Sequence, residues 1–132
     1  LFRSYLIYSG SLVGIDYTTG LVTAPAGQNA DLTDPNVWTK LDYPLQKSGV
    51  YNGQWQLGTG HGMWSNDEDG NLIYVFHNAE YENGRYGGRD AQVRRVHWSK
   101  EGMPILDMQA AEELNPDCAD ITMKIVVSGN KG

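Results

Sequence analysis

Residues 72–80, LIYVFHNAE, constrain the fold of this chain more than any other segment. In an extended chain Leu72, Tyr74 and Phe76 lie on one face and Ile73, Val75 and His77 on the other. A strand apolar on both faces belongs between stacked layers, as a central strand does. HGMWSN (61–66) and the turn Asp67-Glu68-Asp69-Gly70-Asn71 precede it, so 61–80 reads as a β-hairpin. Other short runs share this character: Tyr5 to Ser9, Gly14 to Thr23, Val37 to Leu41, Arg89 to Ser99 and Pro104 to Met108. Between them lie polar or glycine-rich connections at 24–35 and 81–88, and a longer one from 42 that ends at Gly58-Thr59-Gly60-His61-Gly62. Residues 109–118 are helix-compatible up to Pro116, and 121–127 alternate as one last strand before a linker-like 128–132. The strands fall into two groups, about 5–48 and 57–108. Each is near the roughly 40 to 45 residues of a four-stranded propeller blade, and the spacing fits a β-sandwich almost as well.

Composition narrows the partners. A chain of 132 residues allows one domain, and a net charge of −6 repels a phosphate backbone, which argues against nucleic acid. No run of 18 apolar residues is present to span a membrane as a helix. Cys118 is the lone cysteine, which excludes an intrachain disulfide or a cysteine-rich zinc site. The chain opens at Leu1 directly into a strand-like segment with no leader to read, so we expect a fragment of a longer protein that self-associates when its missing parts are absent.

Few residues offer chemistry. Glycines flank His61 in Gly58-Thr59-Gly60-His61-Gly62, letting the backbone approach closely and fixing the imidazole; a packed histidine in a glycine cluster is the plain alternative. Arg89 leaves the glycine-rich 81–88 segment, where its planar fork can clamp a carboxylate or sugar hydroxyls, or simply pair with Asp90. His77 and His97 lie in strands beside apolar residues and read as core or edge histidines. Asp67 to Gly70 resembles a calcium loop, but Phe76 stands where that loop requires Glu, which leaves a charged hairpin turn. No G-x-S-x-G, H-E-x-x-H, Walker A or C-x-x-C motif occurs. Four Trp and eight Tyr include candidates for stacking on sugar rings, although most must be core.

Taken in order, GTGHGMWSNDEDGNLIYVFHNAE (58–80) and GRDAQVRRVHWSKEGMPILD (88–107) resemble the last blade of glycoside hydrolase family 43. The matching features are the G-x-G-H segment, the hairpin strand ending Phe76-His77-Asn78-Ala79, and the strand pair running from Gly88 to Pro104. The part upstream, from Tyr5 to Ser48, is similar to the preceding blade. The segment departs from the family's common G-P-G-H-N form at Thr59 and Gly62.

This resemblance implies an all-β fold, with residues 1–115 forming about two four-stranded antiparallel blades of a five-bladed β-propeller and 116–132 a final strand and linker stub. It implies inverting hydrolysis of α-L-arabinofuranosyl or β-D-xylosyl linkages in arabinoxylan or arabinan, which favours an extracellular or cell-surface setting. The general acid and base would lie on upstream blades, so no carboxylate here matches a catalytic position. His61 corresponds to the family's axial histidine, which orients water around a calcium or sodium ion, and Arg89 to an arginine near substrate. A non-catalytic sugar-binding β-sandwich is the alternative.

Overall fold

The computed structural model describes residues 3–27 and 29–108. Three strands form the first antiparallel sheet among these residues, in the order β1 (Arg3–Gly10), β2 (Thr18–Pro25), β3 (Thr39–Lys40). Four form the second, in the order β4 (Gly49–Tyr51), β5 (Gln54–Asn66), β6 (Leu72–Glu82), β7 (Arg85–Arg95). A two-stranded sheet of β8 (His97–Trp98) and β9 (Pro104–Ile105) follows. The all-β, antiparallel reading therefore stands. The expected last strand at 121–127, the helix-compatible 109–118 and Cys118 lie outside the described residues.

Turn chemistry sets the second sheet. Asn52-Gly53 and Asn83-Gly84 both hold positive φ, at 50° and 75° and at 52° and 73°, the left-handed pair that a two-residue turn between twisted antiparallel strands demands. Residues 81–88 are consequently the tip of the β6–β7 hairpin and not a loop. Glu82 pairs with Arg85 across Asn83-Gly84, and Gly87 sits in a bulge between the Glu80–Gly88 and Tyr81–Tyr86 pairs. The 37–41 run is likewise mostly not strand. Pro35–Val37 forms one turn of 3-10 helix capped by the Asp34 carboxylate, leaving only Thr39–Lys40 to pair with β2.

The core lies between the two sheets. Leu21, Leu45, Tyr74, Phe76, Val96 and Leu106 are its buried centre, with Tyr5, Ile7, Leu41, Trp64, Leu72 and Met103 packed against it. Tyr74 is fully buried, stacks on Phe76 at 5.1 Å between centroids, and shares a 2.7 Å hydrogen bond with the Thr19 hydroxyl on β2. Those contacts tie the central strand of one sheet to the central strand of the other.

Among the described residues, cover on the far face of β6 is found at one end. There His77 and Ala79 are buried, under Tyr17 and the backbone at Gly14. Further along, Met63 and Val93 flank Val75 in register and stay more than half exposed.

Candidate functional site

His61 projects from the middle of β5, in a stretch where the pairing with β6 slips twice, between Leu57 and Gly60 and between Gly60 and Met63. The sequence read Gly58 to Gly62 as the end of a loop; it is a doubly irregular strand. Its glycines answer to two tyrosines. A Cβ on Gly60 would sit 2.6 Å from the Tyr17 ring, and one on Gly62 would sit 2.2 Å from the Tyr74 ring. Between them His61 takes φ 52°, a left-handed conformation that costs energy in a non-glycine residue and that clusters at functional sites. The imidazole is thereby turned outward beside a cavity of about 240 Å³ lined by Ile7, Tyr8, Ser9, Thr19, His61 and Gly62.

His77 stands next to it, with ring centroids 6.1 Å apart. It is buried, stacks on Tyr17 at 5.6 Å, and its Nε2 makes no hydrogen bond. Burial, then the positive charge of Arg89, then His61 hold its pKa below the ordinary histidine value, so the ring is neutral at pH 7. The unfolded chain takes up this proton first. The stabilisation associated with neutral His77 is complete above about pH 6.5 and is lost as pH falls through the lower folded value. We expect the melting temperature to fall between pH 7 and pH 5, and to fall less in His77→Phe. Equal slopes in the two proteins, measured by circular dichroism, would remove His77 from this account.

Arg89 lies in β7 opposite Ala79, and its charge reaches His77. The structure thus brings His61 and Arg89 to bear on one buried histidine that the sequence reads as a core or edge residue. Arg89 is not paired with Asp90. Its Nε donates to the Tyr86 hydroxyl, and its guanidinium carbon lies 5.7 Å from the Tyr86 ring centroid. Asp90 instead meets Glu80. Hydrogen bonding to Asp90 and repulsion from its charge raise the Glu80 pKa.

His97 pairs with Ile105 in the β8–β9 sheet and takes no part in this cluster. Asp67 closes its own turn, accepting from the Asn71 amides at 2.7 and 2.8 Å and from the Asp69 backbone at 3.0 Å. A hard cation such as calcium takes six to eight oxygen ligands. Among the described residues no three His, Cys, Asp or Glu side chains gather, so these residues do not make a cation site by themselves.

The model of the family described as glycosyl hydrolases family 43 matches residues 3–104. The chain belongs to glycosyl hydrolase family 43. Within that family it is 34% identical over 108 residues to alpha-L-arabinofuranosidase 43 of Humicola insolens, a match that covers 77% of this chain and 22% of that protein. The alpha-L-arabinofuranosidase of Lactobacillus brevis superposes with a TM-score of 0.68 and 29% identity, over 81% of this chain and 33% of that one. The xylan beta-1,4-xylosidase of Bacillus halodurans C-125 shares the fold, with a TM-score of 0.60 and 16% identity, over 95% of this chain and 24% of that one. This family 43 chain thus spans 22% to 33% of the length of these relatives. Its two larger sheets are blades of the family's β-propeller.

Proposed function

We propose that the whole protein of which this chain is a part hydrolyses α-L-arabinofuranosyl linkages in arabinoxylan or arabinan with inversion, and that this chain supplies one wall of the sugar pocket. The observation that carries the reading is the 34% identity to an arabinofuranosidase across 77% of the chain. A structural relative at 29% identity bears the same activity in its name. Cleavage of β-D-xylosyl linkages is the second reading, favoured only by a xylosidase at 16% identity.

The acid and the base come from parts of the protein outside this chain, a reading supported by its covering only 22% to 33% of the length of its relatives. His61 contributes an outward imidazole on a left-handed backbone between Gly60 and Gly62, which pack against Tyr17 and Tyr74, and is suited to ordering water beside the reacting sugar. Among the described residues, His61 would offer the axial calcium or sodium ion a water-mediated contact. Arg89 belongs to the substrate wall.

The test is the full-length protein on 4-nitrophenyl α-L-arabinofuranoside and β-D-xyloside, with the anomer of the first-formed sugar followed by proton NMR. We expect turnover of the arabinofuranoside, release of the inverted anomer, and about a hundredfold lower kcat in His61→Ala, since a misplaced water costs this much. Turnover of the xyloside alone would favour the second reading. Sugar binding with no turnover of either would support the binding-module alternative.

A further inference from the structure

The β6–β7 hairpin tip carries an exposed aromatic ring that nothing above uses. Tyr86 is 47% exposed, yet it is held on two sides. Arg89 donates to its hydroxyl and lies over the ring at 5.7 Å, while Tyr81 meets it edge-on at 6.3 Å and 72°. A ring fixed at its hydroxyl end and braced by a second ring loses little entropy when a ligand settles on it. The bulge at Gly87 twists the strand next to it and so re-aims this residue relative to the flat part of the sheet.

The surroundings suit a neutral sugar. Tyr86 borders a depression of about 550 Å³ lined by Glu82, Asn83, Arg85, Tyr86 and Gly87. Sugar rings present a C–H face that packs on an aromatic face, and hydroxyls that pair with carboxylate, amide and guanidinium groups at the rim. Arg89 has its Nε committed to Tyr86, which takes one edge of its fork out of use for a bidentate clamp.

We propose that Tyr86 is the sugar-contacting residue of this hairpin, a stacking platform for a pentosyl ring of the polysaccharide, and that Arg89 is a positioning residue that holds the platform. This deepens the reading of the protein as a glycoside hydrolase and rests on it. It also transfers the direct contact from Arg89 to Tyr86.

A double-mutant cycle on the full-length protein decides it, with arabinofuranosyl-branched β-1,4-xylotetraose as the probe. KM and kcat are read from turnover and Kd from calorimetry, with melting curves matched among the variants. Tyr86→Ala should raise KM and Kd by about tenfold, with the effect on KM rather than kcat. Tyr86→Phe and Arg89→Ala both cut the same tie and should share a smaller, several-fold rise. Adding Arg89→Ala to Tyr86→Ala should change nothing more, because a residue acting through another has no effect once that other is gone.

Losses that multiply in the double variant would mean that Arg89 touches sugar itself and would overturn the proposal, as would an unchanged Kd in Tyr86→Ala. If the wild-type protein turns over no glycoside, the hydrolase reading fails, and the cycle read from Kd alone still decides the role of Tyr86. A wild-type protein that does not bind the oligosaccharide overturns the platform.

Discussion

Replacing Arg94 by alanine should cost the protein about 3 kcal/mol or more of unfolding free energy, the largest effect expected of any single substitution discussed. Arg94, the last residue but one of β7, is only 4% exposed. Its guanidinium lies 4.1 Å from the Tyr51 ring centroid and 5.0 Å from that of Phe76, and it donates to the Gln56 side chain, to the Leu106 carbonyl at 3.0 Å and to Asp107 at 3.2 Å. Truncation strands two buried acceptors, each costing about 1 to 3 kcal/mol, and opens a void between two rings. Arg94→Lys keeps the charge but not the fork, so it should recover less than half of the loss. The ion pair contributes little: the Asp107 side chain is 76% exposed, and Asp107→Ala should cost under about 0.5 kcal/mol. Urea unfolding of the three variants checks this, and an Asp107→Ala loss equal to that of Arg94→Ala would reverse the assignment.

Gly62→Ala is expected to be nearly as damaging, by crowding and not by loss. The added methyl would lie 2.2 to 2.3 Å from three atoms of Tyr74, a side chain that cannot retreat because it is fully buried, stacked on Phe76 and bonded to Thr19. Forcing one methylene into such packing costs about 1 to 3 kcal/mol. The strain falls on the peptide next to His61, so the same variant should lower turnover of the full-length protein. Gly27→Ala is the control, since nothing lies within 4 Å of the added carbon, and it should be neutral within about 0.5 kcal/mol. A neutral Gly62→Ala would show that β5 can shift, and with it the imidazole.

The hairpin 61–80 was legible because its turn is written in local chemistry: Asp67 and Gly70 specify it without reference to the rest of the molecule. Other features were hidden because their causes are distant in sequence. Gly58 to Gly62 look like a loop until Tyr17 and Tyr74 supply the rings that require the missing side chains. Asn83-Gly84 is itself a strong turn signal, but Gly87 and Gly88 beside it made the whole stretch resemble a loop; the pairing of Glu82 with Arg85 shows otherwise.

Alternation in β7 misleads most. Val93 and Arg94 adjoin, and hydropathy alone would bury the valine, yet Val93 is 57% exposed and Arg94 is inside. Two aromatic rings and three acceptors, gathered from β4, β5, β6 and the segment at Leu106 and Asp107, reverse the expected facing. At the site, His61 and Arg89 were visible as residue types in suggestive settings. The commitment of Arg89 to Tyr86 and the neutral His77 between Tyr17 and His61 depend on the register of β5, β6 and β7, which a hydrophobic pattern does not encode.

The Tyr5 hydroxyl reaches the Gly102 carbonyl across 97 positions of sequence, and Arg94 ties Gln56 to Leu106. Through Tyr5 and through the hydrogen bond of Thr19 with Tyr74, the first sheet is fastened to the later segments by side chains as well as by the peptide that links the two sheets. A protease nick in the stretch between β3 and β4 should leave two polypeptides clasped together, which makes that junction a natural place to divide the protein into halves that reassemble when mixed.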